Sequence, residues 1–248
     1  MKIAAISDIH SNVYALNAVL KDIKTRGVNV TVNLGDILYG PIAPRVTYDL
    51  LMAHNIVTIR GNQDRQIYEA TKSDIEQNPT LAFILNDLGP EPLEWMKALP
   101  PTHQLTDDVF LCHGTPTSDL IYLLENVETG KPVVRSEKDI LSLLGNQKSS
   151  VVVCGHTHIP RAVSLASGQL IVNTGSVGLP AYCDDEPIVH AMENYSPHAN
   201  YVILEKHDSD WSVNTINVAY DYQKAAQDAS KRGRDDWAYY LSTGRANS

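Results

Sequence analysis

Lys2-Ile3-Ala4-Ala5-Ile6-Ser7-Asp8-Ile9-His10 decides the fold. Residues 2–6 form an apolar run too short for a helix and consistent with a buried strand. That run delivers an aspartate and, two residues on, a histidine. The same arrangement recurs. Residues 28–34 run into Gly35-Asp36, residues 56–59 enter Gly61-Asn62, residues 109–112 enter His113-Gly114, and residues 151–154 enter Gly155-His156-Thr157-His158. Seven side chains able to bind a metal therefore fall into five clusters, each at the end of an apolar run.

The stretches between these runs set the topology. Ser11 or Asn12 can cap a helix carrying Val13, Leu16, Val19, Leu20 and Ile23 at three- and four-residue spacing, with Gly27 as its stop. A turn over residues 39–44 leads to a helix with Val46, Leu50 and Leu51 on one face. Strand–helix–strand–helix–strand order implies parallel strands joined by right-handed crossovers. Ligands in open sheets of this kind gather at the carboxyl ends of strands, where Asp8, Asp36 and Asn62 lie. Residues 64–99 read as helical, broken near Asn78-Pro79 and Gly89-Pro90. Ser136 can cap a helix through Leu144, and residues 170–172 form a strand into Asn173-Thr174-Gly175-Ser176. Residues 201–205 and 211–218 read as an antiparallel pair turning at 208–210. Terminal helices over about 221–243 close a single domain spanning residues 1–248.

Bulk properties exclude several classes of function. A chain of 248 residues is ample for a sizeable core. The net charge of -9 argues against a broad nucleic-acid surface, although bound dications would reverse the field locally. Three cysteines without C-x-x-C spacing, Cys112, Cys154 and Cys183, do not suggest a disulfide framework. Two of them end apolar runs as buried thiols, which suits a reducing cytosol. No signal-peptide pattern opens the chain, and no segment reaches the roughly 20 apolar residues of a membrane span. A cytoplasmic location is expected.

Carboxylate and imidazole without thiolate suit two hard-to-borderline divalent ions and phosphate-ester hydrolysis. Two such ions would acidify a bridging water, neutralise phosphate oxygens and align phosphorus for in-line attack, and a carboxylate between them could hold their spacing.

Ser7-Asp8-Ile9-His10, Gly35-Asp36, Gly61-Asn62-Gln63-Asp64, His113-Gly114 and Gly155-His156-Thr157-His158 together resemble the calcineurin-like metallophosphoesterase family, in the family's order. Gly175-Ser176-Val177-Gly178 extends the likeness to a compact bacterial and archaeal branch. The resemblance implies an α/β fold, a four-layer αββα sandwich of two mixed sheets flanked by helices. It also implies that Asp8, His10 and His158 hold one ion, that Asn62, His113 and His156 hold the other, and that Asp36 bridges them. Many family members carry a histidine where this chain has Gln63, and it helps protonate the leaving group. Glutamine can donate a hydrogen bond but cannot shuttle a proton near pH 7.

The expected function is a binuclear phosphoesterase acting on phosphodiester or nucleotide-like esters through a metal-bridging hydroxide. Asp36, Asn62, Gln63 and Asp64 are the candidate catalytic residues, with Asp64 orienting a ligand from behind. Asn12, Asn62 and Gln63 are the candidate substrate contacts, although Asn12 could equally cap its helix. Manganese is the first choice of metal, with iron, zinc, nickel or cobalt as alternatives. The expected partner is a small phosphate ester, and a homodimer is an option through Trp237, Tyr239 and Tyr240, which otherwise belong to the core. Alternatives are a serine/threonine protein phosphatase, a diadenosine-polyphosphate hydrolase, or a non-catalytic protein-binding module on the same fold; the complete ligand set favours catalysis over the last. His190 and His198 lie in a polar segment that reads as a lid or an exposed connection. Arg60 and Arg65 flank Asn62 as a phosphate clamp or as surface ion pairs. Ser176 has no visible partner base and is not a nucleophile candidate.

Overall fold

The structure, a computed structural model, describes residues 1–208 and 210–246; Ser209, in the expected turn, lies outside them. β1 (Lys2–Ile6) leads through α1 (Val13–Lys24) to β2 (Val30–Asn33), and α2 (Pro44–Met52) brings the chain to β3 (Val57–Thr58). All three strands are parallel, β2 pairing with both neighbours. Asn12 caps α1 by accepting from the Ala15 N–H, and the helix buries Ala15, Leu16, Val19, Leu20 and Ile23.

The inward face of α2 differs from the expected one. Thr47, Tyr48 and Leu51 point inward, whereas Val46 is 55% exposed. A rotation of about 100°, one residue, separates the Val46–Leu50 row from the Thr47–Leu51 row, and Tyr48 outweighs Val46 in buried area.

Four short helices follow: α3 (Asn62–Tyr68), α4 (Lys72–Gln77), α5 (Pro79–Leu88) and α6 (Pro90–Ala98). Pro79 and Pro90 stand in the first turns of α5 and α6, where a missing N–H breaks no helical bond. An additional break falls at Thr71, whose side chain caps α4.

The second sheet begins with β4 (Thr102–Thr106) and β5 (Val109–Cys112). After the short ribbon of β6 (Glu125–Asn126) and β7 (Val133–Val134) comes α7 (Glu137–Leu144), capped by Ser136. β8 (Val151–Cys154), β9 (Arg161–Ser164) and β10 (Leu170–Asn173) complete the sheet in the order β4-β5-β8-β10-β9. Its three central strands are parallel and its edge strands antiparallel. A separate ribbon pairs β11 (Ala181–Asp184) with β12 (His190–Glu193). β13 (Ala199–His207) and β14 (Asp210–Val218) then return to the first sheet, giving the order β14-β13-β1-β2-β3. α8 (Tyr222–Lys231) and α9 (Asp235–Thr243) end the described chain.

Side-chain alternation sorts these elements into four layers. Ile3 and Ala5 of β1 pack with Leu111, Val151, Val153 and Val172 of the second sheet, so one core lies between the sheets. Ala4 and Ile6 point the other way, into a core shared with α1, α5, α8 and α9. Val152, Cys154 and Ile171 face outward from the second sheet onto Ile140 and Leu144 of α7. Strands buried on both faces read as continuous apolar runs, as Val151–Cys154 does. Truncating Leu111 to alanine in the inter-sheet core would cost about 2–5 kcal/mol. Among the described residues no helix is long and apolar enough to cross a membrane.

Candidate metal centre

All seven expected ligands stand just beyond the carboxyl ends of parallel strands, and both sheets contribute. β1, β2 and β3 deliver Asp8, His10, Asp36 and Asn62; β5 and β8 deliver His113, His156 and His158. Five of these occupy left-handed backbone: Asp8 (φ 55°), His10 (49°), Asp36 (53°), His156 (70°) and His158 (61°). Such conformations cost residues with a Cβ on the order of 1–3 kcal/mol each and persist only where the surroundings over-determine them. Here the loops are bonded to one another. Asp8 N–H donates to the Gly35 carbonyl at 3.0 Å and His10 N–H to the Asp36 carbonyl at 3.0 Å. The Ser176 hydroxyl donates to the Asp8 carbonyl at 2.8 Å, a structural role that matches its lack of a partner base. Gly61 and Gly155 are required by close approach, because a Cβ on either would collide with the Asp36 or the Asp8 carboxylate.

The ligand-capable atoms form two groups, Asp8 with His10 and His158, and Asp36 with His113 and His156; within each, all atoms lie within 4.8 Å of one another. In the first group, His10 Nδ1 lies 3.0 Å from the Tyr39 carbonyl and His158 Nδ1 lies 2.6 Å from that of Leu179. Each Nδ1–H must donate there, so each Nε2 carries a lone pair. These two nitrogens face each other at 3.1 Å. Asp8 Oδ1 lies 3.3 Å from His158 Nε2, is buried, and has no hydrogen-bond donor. Two facing lone pairs beside an unpartnered carboxylate oxygen repel one another unless a proton or a metal cation sits among them. The donor set fits a divalent ion.

In the second group, His113 Nδ1 donates to the Leu34 carbonyl at 2.8 Å, and His113 Nε2 lies 3.4 Å from Asp36 Oδ2 and 3.0 Å from Asn62 Oδ1. His156 donates from Nε2 to the Leu120 carbonyl at 3.2 Å, leaving Nδ1 as its lone-pair atom. Fixed tautomers of this kind are what metal-binding histidines acquire from backbone carbonyls.

The electrostatics agree with the geometry. Burial would raise the Asp8 carboxyl, but His158, His113 and His10 more than offset it and hold it below the ordinary range. Burial, then His158, pushes His10 down to about 4; burial, then His113, does the same to His156. His113 goes the other way. Burial disfavours its charge, yet the facing Asp36 carboxylate raises it to about 10. Asp36 raises the pKa of both His10 and His113, one from each group, so its charge is felt on both sides.

Asp64 lines no cavity wall. It accepts from the N–H groups of Asp36, Ile37 and Gly61 at 2.8–2.9 Å. It thereby ties the Asp36 loop to the start of α3. Burial and the Asp36 charge push Asp64 up to about 7, against the pull of the Gly61 and Ile37 N–H groups.

At three places the structure decides between readings that the sequence left open. Asn12 does not reach substrate space: it is fully buried, its oxygen caps α1, and its amide nitrogen donates to the Gly178 carbonyl at 2.9 Å and to Tyr220 at 3.1 Å. Arg60 donates to the Leu99 carbonyl, and Arg65 makes a two-pronged pair with Asp119 at 3.0 and 3.1 Å, so neither clamps phosphate. His190 is buried on β12, with its Nε2 3.0 Å from the Tyr122 hydroxyl; His198 is half-buried, just before β13. The part of the segment that carries His190 folds as the β11–β12 ribbon instead of a loose lid.

A cavity of about 280 Å³ opens over both groups, lined by His10, Asp36, Asn62, Gln63, His156 and His158. Its far wall is Tyr39, Tyr182, Arg234, Trp237 and Tyr240. Trp237 meets the His10 ring edge-on at 5.7 Å between centroids. Arg234 is fixed by Asp236 and by Thr80. Sequence reasoning gave Trp237 and Tyr240 to the core or a dimer surface and did not place them beside the ligands. The three- and four-residue spacing of Trp237, Tyr240 and Leu241 marks a buried face without saying what that face meets. Burial pushes the thiols of Cys112 and Cys154 up, so neither is a nucleophile.

Residues 1–194 match the calcineurin-like phosphoesterase superfamily domain, and the chain belongs to that family. It is 28% identical over 253 aligned residues to the uncharacterized protein MJ0912 of Methanocaldococcus jannaschii, covering 95% of this chain and 94% of that one. In fold it resembles a metallophosphoesterase from Sphaerobacter thermophilus, with a TM-score of 0.76, 22% identity, and coverage of 98% of this chain and 100% of the other. A phosphoesterase from E. coli, Yfce, aligns with a TM-score of 0.47 and 21% identity over 88% of this chain and 100% of its own.

Proposed function

We propose that the chain is a binuclear, metal-dependent phosphoesterase that hydrolyses phosphodiester or nucleotide-like esters. The observation that carries this reading is the pair of imidazole lone pairs 3.1 Å apart beside the buried, donor-less Asp8 oxygen. Asp8, His10 and His158 would hold one ion, and Asn62, His113 and His156 the other, with Asp36 between them. Manganese suits this oxygen and nitrogen set first, and iron, zinc, nickel or cobalt would also fit. When bound, two such ions supply neutralisation of phosphate charge and an acidified water as nucleophile.

The chain's own residues organise the rest. Asp64 fixes Asp36 through its backbone, and the Gln63 N–H fixes Asp36 Oδ1 at 2.8 Å. The Gln63 side chain lines the cavity, where its amide can donate to a phosphate oxygen. It cannot give a proton to a departing alkoxide near pH 7. Esters with good leaving groups should therefore be turned over best. Two buried thiols, Cys112 and Cys154, accord with a reducing compartment such as the cytosol.

The reading is tested by stripping the purified protein of metal, reloading it with manganese, and assaying bis-(p-nitrophenyl) phosphate. Turnover should require metal and should rise as about two equivalents bind. Two tightly bound ions with no turnover on any panel of mono- and diesters would replace the hydrolase by a binding module.

A further inference from the structure

We propose that a second cavity, on the other side of Asn62 and His156, seats the second ester arm of a phosphodiester, and that this arm is an uncharged, largely apolar group. The proposal rests on the phosphoesterase reading above and deepens it. The cavity holds about 410 Å³. Asn62, His156 and Asp184 line it and also line the cavity beneath Trp237. The two spaces thus meet at the candidate ligands, where a phosphorus atom would lie. A monoester has one arm and would fill one side only; a diester has two.

The chemistry of the walls selects the arm. Leu120 and Ile121 are 61% and 42% exposed, an apolar pair left facing solvent beside a polar centre. Tyr122 and Val127 continue that wall. The loop carrying the pair is held, so its exposure is not the accident of a loose segment. The Leu120 carbonyl accepts from His156, and the neighbouring Asp119 is gripped by Arg65 of α3 at 3.0 and 3.1 Å. Gly114, next to His113, leaves no room for a Cβ against the Ser118 and Ile121 carbonyls. The same cavity is lined by Asp184, Asp185 and Glu186, three carboxylates against the single guanidinium of Arg135. Arg135 is partly committed, its Nε donating to the Tyr122 carbonyl at 3.1 Å. A further phosphate on this arm would meet net negative charge, while an aryl or alkyl group would cover Leu120 and Ile121 and remove apolar surface from water.

The test compares two ligands of equal charge that differ in one arm, diphenyl phosphate and methyl phenyl phosphate, titrated calorimetrically into the manganese-loaded protein. Wild type should bind diphenyl phosphate about tenfold more tightly, the order expected for burying the extra ring carbons. In Leu120→Asp and in Ile121→Asp that ratio should collapse to about twofold or less. Comparable or unmeasurable binding of the two ligands by wild type, or a ratio that survives both substitutions, overturns the proposal. The two readings fail separately. Preferential binding of diphenyl phosphate without turnover of bis-(p-nitrophenyl) phosphate removes the hydrolase and keeps the assignment of the cavity. Turnover of that ester without any preference for the second arm does the reverse.

Discussion

Asp8, His10 and His158 are all buried, although His10 and His158 border the first cavity, whereas in the other group His156 is partly exposed and Asn62 borders both cavities. Both groups take their order from distant parts of the chain: His158 leans on the Leu179 carbonyl and Asp8 on Ser176. In the shallow group His113 leans on the Leu34 carbonyl and His156 on the Leu120 loop. An ion in the deep group would be held among more buried side chains, while one in the shallow group would share its coordination more readily with whatever fills the two cavities. On the proposed reading the contrast would separate holding from exchanging, with Asp36, whose charge acts on both groups, between them.

The largest break in that contrast should come from Asp36→Ala. It removes the carboxylate that faces His113 and whose charge also reaches His10, and with it several kcal/mol of transition-state stabilisation; kcat should fall on the order of 10³-fold. His156→Ala should be more selective. Metal analysis after dialysis should find about one ion retained instead of two, and retention of both would erase the distinction between the groups.

Acidity should separate the groups next. The Asp36 carboxylate holds a proton on His113, raising it to about 10, so at pH 7 the metal-free protein carries that proton. A cation must displace it. Below the His113 value, affinity of the shallow group should therefore rise about tenfold for each unit of increasing pH, across pH 6 to 9. His10 adds no such dependence in this window, since burial and His158 hold it down to about 4. Manganese titrations at several pH values should show one ion with a steep slope and one with a shallow slope; equal slopes would contradict the assignment.

Asp64→Asn is expected to act at one remove. The substituted side chain keeps one acceptor but turns an amide N–H toward donors that the carboxylate now receives from Asp36, Ile37 and Gly61. Displacing the Asp36 loop should weaken metal binding roughly 10- to 100-fold and lower stability by about 1–3 kcal/mol. A chelator-competition titration and a denaturant melt would read these together.

The legible part of this site was the gathering of its candidate ligands at the strand ends, and the reason is local. Each ligand follows a run such as Val151–Cys154 whose apolarity reports burial on both faces, and parallel topology places all strand ends on one side. The cavity walls lacked any such local signal. Trp237 meets His10 from the far end of the chain, and Leu120 flanks His156 through a loop that carries no periodicity. The β11–β12 ribbon is polar and short, so its pairing does not show as alternation. Asn12 shows the opposite failure: proximity to Asp8 and His10 suggested contact with substrate, but helix capping absorbs its oxygen and Gly178 and Tyr220 take its amide. A sequence displays what a residue can do; which of two partners claims it is decided by packing.

Gln63→His is the smallest and most selective change, and it probes the shallow side alone. Gln63 begins α3 beside Asn62, its backbone N–H already engaged with Asp36 and its side-chain oxygen buried without a donor. A histidine there would add a group able to protonate a leaving oxygen near neutral pH, a contribution that reaches 10²–10⁴-fold when well placed. The cavity was not shaped around an imidazole, so about a tenfold gain is the reasonable expectation. It should appear only for esters with poor leaving groups, such as phenyl or alkyl esters, because nitrophenolate departs without help. The slope of log kcat against leaving-group pKa should therefore flatten in the variant, with metal content unaltered. A parallel shift of the whole line would mean that residue 63 acts on phosphate binding instead, and the reading of glutamine as a missing proton donor would have to be dropped.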